Sequence, residues 1–120
     1  MVDKCSMNVL NRAEVIDQLT RRGAASDVVG AEIDTLGINF EPLSIELADQ
    51  AAQLRSRHYH RTKRPLSMAD CVALATAMAS GSALATSDGP LAATCVEAGG
   101  SVVEIANSKG VYPLGTRRRS

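Results

Sequence analysis

Ten of the twelve residues from Met68 to Ala79, "MADCVALATAMA", are apolar. A helix this uniformly apolar has no wet face, so it must be covered on most sides and lie inside a layered domain. Gly81 stops that helix, "SALATS" reads as a short buried strand, "SDGPLAATCVEAGG" as a turn and a helix with Pro90 near its first position, and "SVVEIA" as another strand. Helix, strand, helix, strand with tight turns is the grammar of a parallel sheet with crossover connections. The expected class is α/β, a three-layer fold with a mostly parallel central sheet flanked by helices.

The upstream half fits that class. "NVLNRAEVIDQLTRRG" places Val9, Ala13, Ile16 and Leu19 at three- and four-residue steps and ends in Arg21, Arg22 and Gly23, a helix with a cationic end and a glycine stop. "ASDVVGAEIDTLG" predicts a second helix, with Ser26 as N-cap and Gly37 as terminator, and "INFEPL" predicts a short strand. From Ser44, "SIELADQAAQLRSRHYHRTKR" begins with a cap and acids and ends in a basic run, which predicts one long, half-exposed helix. His58 and His60 are expected as exposed residues at its end, two apart and on different faces.

A chain of 120 residues supports one domain. It is placed at residues 1–106, with 107–120, which carry two glycines, a proline and terminal arginines, as a flexible basic tail. Thirteen basic residues balance thirteen acidic ones, so bulk charge argues neither for nor against nucleic acid. Aromatics are only 2%, which leaves no stacking platform for bases. Any nucleic-acid contact must then use charge and backbone geometry. Cys5, Cys71 and Cys95 are odd in number and lack C-x-x-C spacing, which argues against a disulfide framework and a zinc site. No run approaches the ~18 apolar residues that span a bilayer, and no secretory pattern opens the chain. A cytoplasmic protein without membrane contact is expected. No glycine-rich phosphate loop and no G-x-S-x-G elbow is present.

Three acids invite two explanations each. Asp70 follows Ser67 at capping-box spacing, yet a carboxylate in so apolar a segment also suits a bound cation. Asp88 follows a strand directly, at the edge where open α/β sheets place ligands, and it could equally cap the helix that begins near Pro90. Glu14 lies off the apolar stripe of its helix and could be an ordinary surface acid. Arg55, Arg57, Arg61, Lys63 and Arg64 precede the apolar helix and form either a phosphate-holding patch or a solvated helix end.

The order of these acids, with the words around them, resembles the PIN-domain ribonucleases, especially the VapC-type toxins of toxin–antitoxin pairs. "NRAEV", "LSMADCVALATA" and "LATSDGPLA" carry the N-x-x-E, S-x-x-D and T-x-D motifs in the family's order, through Asn11 and Glu14, Ser67 and Asp70, and Thr86 and Asp88. The resemblance runs from about Asn8 to Ile105. It implies RNA phosphodiester hydrolysis with Mg²⁺ or Mn²⁺, with Asp70, Asp88 and Glu14 as metal-binding and catalytic carboxylates and Asn11, Ser67 and Thr86 in support. Hard cations of this kind choose carboxylate oxygens and keep waters, one of which can attack a phosphodiester. It also implies RNA as substrate, a small cognate antitoxin and a homodimer.

Members of this family open with an apolar strand ending in Asp, ahead of the N-x-x-E segment. Here Asp3 stands eleven residues before Glu14 and follows no apolar strand. The expectation is therefore a domain that lacks this strand and its aspartate. Two other outcomes follow from the same residues: a catalytically inactive remnant that binds only an antitoxin or toxin partner, and a non-nuclease α/β module whose acids are merely caps.

Overall fold

The central apolar segment is the helix that organises the molecule. In the computed structural model, which describes residues 5–107 and 109–115, the order is β1 (Ser6–Asn8), α1 (Val9–Arg21), α2 (Ser26–Asp34), β2 (Asn39–Glu41), α3 (Ile45–His58), α4 (Met68–Ser80), β3 (Leu84–Thr86), α5 (Gly89–Glu97) and β4 (Val102–Glu104). This is the expected α/β class. Helix α4 buries Cys71, Val72, Leu74, Ala75 and Thr76. Around it, Ala51 of α3, Leu66, Leu84 of β3, and Leu91 and Cys95 of α5 complete one core cluster. Gly81 ends α4 at φ 68°, the left-handed turn that glycine adopts without a Cβ clash. No described helix is long and apolar enough to cross a membrane.

Every strand pairing is parallel. β1 pairs with β2, Ser6 opposite Asn39, and β3 pairs with β4, Leu84 opposite Val102. Among the described residues these are two separate two-stranded sheets rather than one. Both lie against α4 and run against its direction. Asn8 meets Thr76 and Asn11 meets Ala69, so the chain advances toward the start of α4 as it leaves β1. β3 begins just after α4 ends and doubles back along it. The carboxyl ends of β1 and β3 therefore point toward the same end of α4, its N-terminus.

Asn8 holds this junction. It is 1% exposed, and its amide nitrogen donates to Thr76 Oγ1 at 3.3 Å and to the Pro42 carbonyl at 3.2 Å. Its side-chain oxygen accepts from the Leu10 amide and caps α1. A buried amide with each polar atom partnered costs little, whereas an unpartnered one would cost about 1–3 kcal/mol.

Several sequence expectations are corrected. The segment from Ser44 does not stay helical to Arg64: α3 ends at His58, with Tyr59 extended. His60 and Arg64 exchange backbone hydrogen bonds across a turn, and His60 Nδ1 accepts the Thr62 and Lys63 amides. That side chain offers the backbone a local alternative to helix, and Pro65 disfavours the helical conformation at Arg64. His58 is not exposed. Its side chain is 12% accessible and lies 3.7 Å from Glu97. β1 was not expected as a strand. Ala25, without a side-chain bond, rather than Ser26, stands at the N-cap of α2, which ends at Asp34.

Beyond β4, the Leu114 amide donates to Glu104 Oε1, and the Pro113 carbonyl lies 3.0 Å from where a Cβ on Gly89 would sit. The segment 109–115 thus meets β4 and the start of α5. The terminal arginines of the proposed basic tail lie outside the described residues.

Candidate functional site

The N-termini of α4 and α5 carry two of the three candidate acids, and local hydrogen bonds fix both. At α4, Asp70 N–H donates to Ser67 Oγ at 2.9 Å while Ser67 N–H donates to Asp70 Oδ2 at 3.1 Å, a complete capping box. At α5, Leu91 N–H donates to Asp88 Oδ1 at 2.9 Å, and Asp88 N–H donates to Thr86 Oγ1 at 3.0 Å. Thr86, buried at the end of β3, thereby sets the turn that presents Asp88. The capping explanations of Asp70 and Asp88 hold in full. They do not exhaust either side chain, because each cap uses one oxygen of two. Among the described residues, Asp70 Oδ1 and Asp88 Oδ2 take no hydrogen bond.

Topology brings the two helix starts to one edge. Thirteen residues of α4 span about 20 Å at 1.5 Å per residue. The four steps from Ser82 to Thr86, at about 3.3 Å each, retrace most of that distance in the opposite direction before the turn to Asp88. α1 joins them through Asn11, whose Nδ2 donates to the Ala69 carbonyl at 3.0 Å, one residue before Asp70. Glu14, three residues after Asn11, shares its face of α1 and is exposed. Asn11 Oδ1 is buried and accepts no hydrogen bond. An orphaned carbonyl-type oxygen one residue's reach from the start of α4 is an uncommitted ligand.

The donor set fits a hard divalent cation in kind: two carboxylate oxygens and one amide oxygen, without a soft ligand. Among the described residues no three His, Cys, Asp or Glu side chains lie close enough together to hold a metal ion. Mg²⁺ is commonly held by one or two protein carboxylates with water and substrate phosphate in its remaining positions, so the present donors suffice for that mode.

The basic run divides by role. Arg55 Nε donates to the Leu66 carbonyl at 2.9 Å, and its guanidinium stacks 4.3 Å from the Tyr59 ring centroid, which fastens the segment leading into Ser67. Arg64 pairs with Glu97 at 2.6 Å and ties the turn after α3 to the end of α5. The hydrogen bond from Arg64 holds the Glu97 carboxyl below the usual range and pushes the guanidinium up. Arg57, Arg61 and Lys63 are exposed and form no ion pair among the described residues, so they alone of the five remain available to a phosphate backbone.

Cys71, next to Asp70, is fully buried. Burial pushes its thiol up, and the Asp70 charge adds to that, so it stays protonated and serves as a small core residue. Asn8 was missed as a structural residue. Its local signal was present, since Asn is a preferred N-cap. Its partners Thr76 and Pro42, 68 and 34 positions away, were not readable from spacing.

No curated protein matches the chain. The family model described as the PIN domain matches residues 2–103, most of the 120-residue sequence and every element from β1 to β3 with α5. That match spans all three acid-bearing segments, and the chain belongs to the PIN-domain family.

Proposed function

We propose that this PIN-domain chain is a metal-dependent endoribonuclease of the VapC toxin type, acting in the cytoplasm on RNA and held in check by a small cognate antitoxin. One observation carries the nuclease part. Asp70 and Asp88 each commit one oxygen to a helix cap and leave the other uncommitted, at the edge where buried Asn11 Oδ1 also lacks a partner. Family membership points to nuclease chemistry and generally to divalent metal ions. The toxin role, the antitoxin and the homodimer rest on the resemblance of the N-x-x-E, S-x-x-D and T-x-D words.

Asp70 and Asp88 would hold Mg²⁺ or Mn²⁺, with Asn11 Oδ1 in support. Such an ion activates a water and polarises a phosphodiester. The Ser67 amide would orient the Asp70 carboxylate by donating to it, and the Thr86 hydroxyl oxygen would position Asp88 by accepting from its backbone N–H. Glu14, exposed on the same face of α1 as Asn11, would accept the proton of the attacking water or bind the metal directly. Arg57, Arg61 and Lys63 would hold the RNA backbone, and Arg55 and Arg64 would shape the segment that carries them.

The test is RNA cleavage by the purified chain with Mn²⁺ and with a chelator. Cleavage should require the metal and fall by about 100-fold or more in Asp70→Asn and in Asp88→Asn. Unchanged turnover in both variants would remove this assignment of the site.

A further inference from the structure

Helix α1 is held differently from its neighbours. Among the described residues it buries no side chain fully, whereas α2, α3, α4 and α5 each bury at least one. Core packing therefore does little to fix how α1 is turned about its own axis. Polar attachments do so instead, and they come from two consecutive residues. Asn11 Nδ2 donates to the Ala69 carbonyl at 3.0 Å and ties α1 to α4. Arg12, roughly 100° further round the helix, reaches toward other elements. Its Nη1 donates at 2.7 Å to Oδ1 of Asp34, the last residue of α2, and its guanidinium lies over the Phe40 ring of β2, 4.7 Å from the centroid. Gly30 of α2 leaves the guanidinium its place: a Cβ there would already touch Nη2, at 3.5 Å, and a longer side chain would compete for that space.

We infer that Arg12 is a positioning residue of the nuclease site proposed above, a reading on which this inference rests: by anchoring α1 to α2 and β2, Arg12 fixes the roll of the helix and with it the place of the Glu14 carboxylate. The hydrogen bond from Asn11 alone is a pivot about which α1 can turn. A second attachment on another side removes that freedom. Glu14 is two residues from Arg12 and roughly 200° round the helix, so it sits nearly opposite the anchor. With its side chain about 6 Å from the helix axis, a roll of about 10° carries the carboxylate by about 1 Å. A displacement of about 1 Å is enough to slow a reaction step on the order of 100-fold. The folding energy at stake is small by comparison, because the Asp34 side chain is 62% exposed and exposed ion pairs contribute little to stability. Loss of the anchor should therefore leave the chain folded and Glu14 misplaced.

Asp34→Ala removes the anchor from the α2 side and leaves α1 and every candidate ligand as they are; Arg12→Ala is its counterpart on α1. Cleavage of a short RNA with Mn²⁺ is followed in each variant, alone and combined with Glu14→Gln. Both anchor variants should lower kcat by about ten-fold with KM unchanged. In the Glu14→Gln background the same substitutions should cost less than about two-fold, because the group they position is gone. Residual dipolar couplings of the α1 amides, read on the ¹⁵N-labelled chain without metal or RNA, should change in Asp34→Ala while those of α4 do not. Should Arg12→Ala fail to fold, Asp34→Ala still decides, and where Glu14→Gln turns over too slowly to compare, the couplings decide. Unchanged α1 couplings, unchanged kcat in the anchor variants of a chain that does cleave RNA, or an equal loss with and without the Glu14 carboxylate would overturn the inference and leave the nuclease reading standing. Absence of metal-dependent cleavage by the wild type would overturn both.

Discussion

One oxygen of Asp70 closes the capping box of α4 and the other is uncommitted, and this division decides what each substitution removes. Asn at position 70 keeps an acceptor for Ser67 N–H and loses only charge near the helix N-terminus, about 0.3–1 kcal/mol. Ala at position 70 also loses the reciprocal bond. We expect Asp70→Ala to lower unfolding stability by about 1 kcal/mol more than Asp70→Asn, measured by urea denaturation. Equal losses would mean that the capping bond contributes nothing. Asn is likewise a good N-cap at position 88, so the Asn variants separate site chemistry from folding. The sequence made Ser67, Asp70, Thr86 and Asp88 legible because their contacts span two or three residues. It could not show that Asn11 reaches Ala69, 58 positions away, or that its oxygen is left without a donor.

At the scale of elements, α4 was legible because its apolarity leaves a single solution, a helix buried on most sides with a serine cap and a glycine stop. β1 was not, since three residues, "SMN", offer no alternation to count. The end of α3 was misjudged for a related reason. Composition continues basic through Arg64, but His60 and Pro65 close a turn that composition does not encode. That turn is fastened to α5 by Arg64 and Glu97, a contact between residues 33 apart. Because Arg64 depresses the Glu97 carboxyl, the pair's contribution is present above the ordinary glutamate range, near about pH 4.3, and is lost as pH falls below it. We expect the stability difference between the wild type and Glu97→Gln to be largest near neutral pH and to vanish on acidification below that range, as followed by urea midpoints at a series of pH values. A difference independent of pH would show that the pair acts through packing alone.

For the whole molecule, the decisive fact is directional. β1 and β3 both run against α4, so their carboxyl ends and the N-termini of α4 and α5 collect at one edge. The motif-bearing segments, spread over 78 positions from Asn11 to Asp88, thereby begin or end near that edge, and the alternation of helices and strands in the sequence implied such an edge in outline. What the alternation did not foretell is that the strands form two pairs across an apolar cleft, because sheet continuity depends on packing distances rather than on local pattern. The central claim is that the caps of α4 and α5 are also metal ligands. Calorimetric titration of Mn²⁺ into the purified chain tests it most directly. The account predicts saturable binding to the wild type that is lost in Asp70→Asn and in Asp88→Asn while both variants stay folded; binding that survives both substitutions, or no binding to the wild type, would contradict it.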